Sequence, residues 1–387
     1  MKRTVGNAVL VLGSLAVVLV LAELFLRVVG FSHPVFARAD PVTGFAHIPG
    51  ATGWFVAEGR GYVRINTGGW RGEERPLKKP AGATRIAVLG DSYTEALQVP
   101  EDSAFPSLLE HSLSRTLSGR YEVLNFGVSG FGTGQELLVL RHYALAYAPD
   151  AVILAFTTGN DVSDNSRALK QVDYVPYFRL VDQRLVLDTS FLTSRGFRSR
   201  SGWRARVLAF LVQHYRLAQL LRVVRIAARE AIFGPERRTP VYPDLYRDSP
   251  PHTNWAEAWS VTESLVTIIN VECRSRHIPF YLVTLSNPEQ VTPDASRLRA
   301  LAVELGVSDL FHPERRLEAL GMRQGFDVLA LAPLLSAQAI ATREYYHGSG
   351  KYEGDGHWNA RGHRAAATLL SPWLAARLRH DLPSASK

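Results

Sequence analysis

The run Ala151–Phe156, AVILAF, has no polar residue at either set of alternate positions. Such a strand meets water on neither face, so it belongs in the middle of a parallel sheet with helices on both sides. The neighbouring sequence repeats the theme. Arg85–Leu89 and Tyr121–Phe126 read as strands, with Ala104–Leu117 and Gly134–Tyr147 as the helices that follow them. Further on, Trp255–His277 reads as a helix, Phe280–Leu285 as a strand and Ser296–Leu305 as a helix. Phe326–Leu331 reads as the last strand and Arg361–Leu378 as the closing helix. This alternation predicts an α/β fold built on a parallel sheet.

Three segments stand outside that pattern. Residues 1–30 carry Lys2 and Arg3 and then a run that is apolar apart from Glu23 and Arg27. About 20 such residues cross a bilayer, and basic residues in front leave the N-terminus in the cytoplasm. The expectation is a membrane anchor with an extracytoplasmic, periplasmic body. A cleaved signal is the rival, but its small-x-small pattern, Ala37-Arg38-Ala39, lies far beyond the apolar run. Residues 31–82 are rich in Gly, Pro and aromatics and read as a lead-in of loops and short strands, closed by a polar linker, TGGWRGEERPLKKP. The third segment, 165–250, interrupts a main unit running from 83 to 387. It contains a hairpin, YFRLVDQRLVLD, and one long helix beginning at Trp203.

Charge is concentrated in this insert, with 16 Lys and Arg against 7 Asp and Glu, enough to account for the whole chain's net +8. It reads as a basic helical cap: a solvated face, or a surface for an anionic polymer or lipid headgroups. No recognition-helix or base-stacking motif accompanies the charge, so nucleic acid is not expected as a partner. One cysteine, Cys273, excludes an intramolecular disulfide framework and a thiolate zinc cluster.

Ligands of parallel sheets sit beyond the carboxyl ends of the strands. Polar clusters follow each of the first three strands: Gly90-Asp91-Ser92, Asn125–Gly134 (NFGVSGFGTG) and Thr157–Asp161 (TTGND). A fourth, Asp355–His363 (DGHWNARGH), precedes the last helix. Together they supply the parts of an acyl-transfer site. Ser92 needs a base to become a nucleophile, and His357 is that base, with Asp355 the nearest carboxylate to orient it. The backbone N–H groups of Ser92 and Gly130 and the amide of Asn160 are candidate oxyanion donors.

Taken singly, each cluster is an ordinary turn, and Asn359 is an ordinary helix cap. Other readings of the same residues fail on detail. Gly127–Phe131 misses the nucleophile elbow by one glycine, and GFGTGQ misses the dinucleotide fingerprint at Gln135. Asp355, His357 and His363 lack a regular metal-ligand spacing, and no cofactor or metal is expected.

The four clusters, in this order, resemble the blocks of the SGNH (GDSL-type) hydrolases. Ser92 falls on the catalytic serine, Gly130 and Asn160 on the oxyanion donors, and His357 on the base. The lead-in INTGGWRG…TRIAVLGDS is similar to membrane-anchored bacterial members with one N-terminal helix. The resemblance implies a flavodoxin-like three-layer α/β/α sandwich and an esterase or O-acyltransferase without a cofactor. One departure stands out: the family spaces its Asp and His by three, whereas Asp355 and His357 are two apart with Trp358 following. That spacing is similar to the Asp-x-His-Trp arrangement of SGNH-like acetyltransferases of alginate assembly, which place it before the serine. It leaves Glu353 or a backbone carbonyl as alternatives for holding the imidazole. The substrate implied is an acylated glycan or another envelope ester. A non-catalytic scaffold of envelope assembly and a lipase or thioesterase are the competing expectations.

Overall fold

A computed structural model describes residues 2–233, 241–248 and 250–382. The central sheet has five parallel strands: β5 (Ala83–Gly90), β6 (Arg120–Gly127), β7 (Ala151–Thr157), β10 (Phe280–Leu285) and β11 (Asp327–Ala330). Their order is β6-β5-β7-β10-β11, the flavodoxin-like 2-1-3-4-5 order, with the topological switch beside β5. Every residue of β7 is buried.

The strands bury alternate side chains against two helical layers. Leu89, Phe126, Leu154 and Leu282 pack on the face covered by α4 (Thr133–His142), α10 (Thr253–Arg274) and α12 (His312–Gln324). Val88, Val123, Ile153 and Val283 pack on the face covered by α3 (Phe105–Thr116), α13 (Leu331–Thr342) and α14 (Ala360–Asp381). α11 (Ala295–Leu305) flanks the carboxyl rim. The sequence reading found neither α12 nor α13 and ran α4 on to Tyr147, where the chain instead makes a separate 3-10 turn at Ala144–Tyr147.

The lead-in forms two antiparallel hairpins, β1 (Ala37–Asp40) with β2 (Gly44–His47) and β3 (Thr52–Phe55) with β4 (Gly61–Arg64). Ala37-Arg38-Ala39 therefore lies within a paired strand. The stretch expected to be a polar linker is packed instead, because its cations and carbonyls have partners in the body. Arg71 is buried, donating to the carbonyls of Glu95, Ala96 and Val99. The buried Arg85 guanidinium meets Glu122 at 2.8 Å and the carbonyls of Leu77, Tyr147 and Pro76. Removing one partner from such a buried pair costs about 3–5 kcal/mol.

Two short helices, α5 (Asp161–Asp164) and α6 (Arg167–Lys170), lead into the insert. The hairpin appears as β8 (Tyr177–Val181) and β9 (Arg184–Asp188), followed by α7 (Arg195–Ser201). The single long helix of the sequence reading is in fact two, α8 (Trp203–His214) and α9 (Arg216–Phe233), bent by 107°. The break has a cause outside the insert. Helix α1 (Lys2–Val28) brings Glu23 to the backbone N–H groups of Arg216 (3.0 Å) and Leu217 (2.9 Å), and Arg27 to the carbonyl of His214 (2.7 Å). The two charges that interrupt the apolar run thus cap two helix ends. Within α1, Thr4–Val28 has the length and apolarity of a membrane anchor or a signal sequence, and almost all of it is exposed.

Candidate active site

Ser92 is the first residue of α2 (Ser92–Glu95), the short helix that begins as β5 ends. Asp91, fully buried, caps this helix by accepting from Tyr93 N–H at 2.9 Å. It also accepts from Thr157 Oγ1 (2.9 Å) and Asn160 Nδ2 (2.8 Å). Its role is to tie the end of β5 to the loop after β7, on the two sides of the switch point. Burial pushes its carboxyl upward, against the lowering effect of those three bonds.

His357 reaches Ser92 from the far end of the chain. Its Nε2 lies 2.8 Å from Ser92 Oγ. Trp358 fixes the approach: it is fully buried and donates Nε1–H to Ser286 Oγ at 2.8 Å. Asn359 caps α14, accepting from Arg361 N–H and Gly362 N–H, and its amide donates to the carbonyls of Tyr345 and Gly348. The Tyr93 ring lies 5.0 Å from the imidazole, and its hydroxyl donates to the Gly356 carbonyl.

The carboxylate on the other imidazole nitrogen is Glu58, from the turn between β3 and β4. Its Oε2 is 2.6 Å from His357 Nδ1 and also accepts the His357 backbone N–H at 3.1 Å. The structure places Glu58, not Asp355, in the orienting position, and neither Glu353 nor a carbonyl takes it. Gly356 shows why. Its φ of +71° turns the chain so that both N–H groups of His357 face Glu58, and a Cβ there would stand 2.5 Å from Glu58 Oε2. Asp355 lines the cavity that opens beside Ser92. Burial opposes a charge on His357, but the bond and charge of Glu58, aided by Asp91 and Glu95, carry its pKa above the ordinary value. Burial raises the Glu58 carboxyl, and His357 more than offsets this, so its net direction is downward.

The candidate oxyanion donors lie around Ser92. Among the described residues, no group accepts from the Ser92 or Gly130 backbone N–H. Asn160 lines the cavity and has a second amide hydrogen besides the one on Asp91. Gly130 sits in the loop after β6 with φ +82°, a value that suits glycine, and is not among the cavity-lining residues. Its carbonyl accepts from Lys170 Nζ at 2.6 Å. The preceding Ser129 gives its N–H (2.8 Å) and hydroxyl to the buried Glu95, whose other oxygen is 2.6 Å from His47 Nε2. The lead-in thus reaches the site twice, through Glu58 and through His47.

The sequence reading missed Glu58, His47 and Glu95. Glu95 had a signal, being three residues after the serine on the same short helix. Glu58 and His47 had none, lying in a segment without repeat or motif. His363, once a conceivable ligand, is buried on α14 with Nδ1 accepting Phe105 N–H, and burial pushes its pKa down to about 3.

The cavity beside Ser92 measures about 970 Å³. Glu58, Ser92, Asn160 and His357 lie in its wall, with Tyr242, Leu245, Asn287, Arg297, Leu301, Lys351 and Tyr352 extending it.

Several solved structures are similar to this chain. An acetyl xylan esterase, AlAXEase, is similar at 13% identity and TM-score 0.40, over 75% of this chain and 98% of its own. The lipase/acylhydrolase from Enterococcus faecalis is similar at 12% identity and TM-score 0.37, over 76% and 96%. AlinE4, an SGNH-hydrolase family esterase, is similar at 16% identity and TM-score 0.34, over 79% and 100%. No curated protein matches the chain in sequence. The family model for the GDSL-like lipase/acylhydrolase family matches residues 88–365, which span the serine, the asparagine and the histidine. The chain therefore belongs to the GDSL-like lipase/acylhydrolase family and is an ester hydrolase.

Proposed function

We propose that Ser92, His357 and Glu58 form the catalytic triad of an acyl-enzyme mechanism. The observation that carries it is the continuous relay Ser92 Oγ, His357 Nε2, His357 Nδ1, Glu58 Oε2, at 2.8 and 2.6 Å. Ser92 Oγ attacks the ester carbonyl carbon as its proton passes to His357 Nε2. Glu58 holds the tautomer with Nδ1–H and stabilises the imidazolium that forms. The oxyanion takes hydrogen bonds from Ser92 N–H, Asn160 Nδ2–H and Gly130 N–H. The C–O bond then breaks, the leaving alkoxide takes the proton from Nε2, and Ser92 keeps the acyl group. Water ends the cycle as hydrolysis, whereas a sugar hydroxyl ends it as transfer.

The substrate we favour is a short acyl ester, an acetyl group above all, on a glycan of the cell envelope. The mixed lining supports this: Asn287, Arg297, Lys351 and Tyr352 suit hydroxyl-rich ligands better than a long acyl chain does. The hydrogen-bonded relay also favours catalysis over a scaffold role. The exposed apolar α1 supports an anchored, extracytoplasmic body, and the pairing of Ala37–Ala39 within β1 weighs against cleavage there. The test is turnover of p-nitrophenyl acetate by the full-length protein and by Ser92→Ala. Equal turnover by both overturns the mechanism. Adding an oligosaccharide and weighing the products separates transfer from hydrolysis.

A further inference from the structure

We infer that α8 and α9 lie in the headgroup layer of the leaflet from which α1 emerges, so that the body is seated on the membrane surface rather than tethered by one helix. The inference rests on the reading of α1 as an anchor. Three independent features of the insert point to a bilayer as the occupant of this surface.

The first is an apolar surface left exposed among the described residues. On α8, Trp203, Val207, Phe210 and Leu211 fall at i, i+4, i+7 and i+8 and are 67%, 50%, 54% and 40% exposed. On α9, Leu221 and Val224 are 70% and 55% exposed. A contiguous exposed apolar surface of this kind is a site of contact.

The second is its position. The elbow between α8 and α9 is built on the end of α1 by Glu23 and Arg27, and His33 N–H adds a bond to Gln219 Oε1 at 2.7 Å. A spanning α1 leaves the hydrocarbon at that end, so the elbow is carried to headgroup level. The exposed apolar residues of α8 and α9 are thus carried on an elbow fixed to the end of the apolar helix α1.

The third is charge. Arg222, Arg225 and Arg229 recur at i, i+3 and i+7 on α9 and form a stripe along one flank of the Leu221 and Val224 face. An apolar face flanked by arginines, whose long side chains reach the headgroups, suits a helix lying in the interface plane. The same arginines, with Arg204 and Arg206 on α8, oppose burial of the pair as a broken span through the hydrocarbon.

The lone Cys273 is buried and its thiol is pushed up to about 12, so introduced cysteines can be labelled selectively. Full-length Phe210→Cys, Val224→Cys, Leu12→Cys and Met322→Cys would each carry an environment-sensitive fluorophore. Each would be placed in vesicles of phosphatidylcholine and phosphatidylglycerol. Retained p-nitrophenyl acetate turnover certifies the fold of each. The expected result is quenching at 210 and 224 by a nitroxide near the headgroup, with iodide quenching about threefold or more weaker than at 322. Iodide quenching at 210 and 224 equal to that at 322, with position 12 in lipid, overturns the docking and leaves the anchor standing. Deep-nitroxide quenching at 210 and 224 equal to that at 12 overturns it in favour of a broken span. Iodide access at position 12 removes the anchor itself, and the docking with it.

Discussion

The imidazole of His357 is oriented by a carboxylate 299 positions earlier in the chain, Glu58 Oε2 at 2.6 Å from Nδ1. The acid two residues before the histidine, Asp355, does not hold that position. The lead-in is therefore part of the proposed site, and its turn residue Glu58 adopts a φ of +60° there. A non-glycine residue in that region carries strain that the surrounding contacts must hold in place.

Replacing Glu58 removes the group that fixes the tautomer of His357. Glu58→Gln should lower kcat/KM for p-nitrophenyl acetate by about 10²–10⁴-fold, the range expected when a triad acid is neutralised. Asp355→Asn should stay within about tenfold of wild type, because the carboxylate bonded to Nδ1 is Glu58. The reverse ranking would return the orienting role to Asp355.

The pH profile follows from the upward shift of His357. Only the neutral imidazole accepts the Ser92 proton, so kcat/KM should fall as pH drops through a value above the ordinary 6.5. In Glu58→Gln the residual activity should have its acid limb at lower pH, since the charge that favoured imidazolium is gone. An acid limb that stays in place would separate Glu58 from the titration.

Two glycines of the same loop provide a controlled comparison. Gly350, at φ +59°, has nothing within 4 Å of a built Cβ, so Gly350→Ala meets only backbone strain, about 1 kcal/mol. Gly356→Ala meets comparable strain at φ +71° and also pushes against Glu58. Similar losses in thermal stability, with a large fall in kcat for Gly356→Ala alone, are expected. Equal kcat values would show that Glu58 tolerates displacement.

Behind the site, Glu136 is fully buried, and neither of its carboxyl oxygens has a hydrogen-bond partner among the described residues. Burial, with Asp91 and Asp164 nearby, raises its pKa well above 4.5. The folded state therefore favours the protonated acid. That stabilising contribution is complete below the unfolded carboxyl's pKa and is lost as pH rises through the folded one. Glu136→Gln has no such proton to lose. Its melting temperature should exceed that of wild type at pH 8 and approach it near pH 4; a constant difference across this range would show that folding does not shift the Glu136 pKa.

Much of the fold was legible because it rests on local patterns. The apolar run of β7, the glycine stop after β5 and the turn chemistry around Ser92, Gly130 and Asn160 each declare themselves within a few residues. The parallel sheet follows from their alternation with helices. The continuous Trp203–Phe233 pattern misled for the same reason: helical periodicity is local, while the break at Tyr215 is imposed by Glu23 and Arg27, some 190 positions away. α13 is uniformly apolar and offers no amphipathic stripe, whereas α12 has a narrow one, at Leu317 and Leu320, set among charged residues and passed over for that reason.

From the chain's sequence alone came the α/β class, the position of the serine at a strand end and the histidine that hydrogen-bonds to it. Those properties depend on periodicity and on residue chemistry at short range. Tertiary structure alone decided which carboxylate completes the relay. Charge attraction acts through space and takes no account of sequence separation. Asp355 is the nearest acid along the chain, but the turn at Gly356 directs the imidazole toward Glu58.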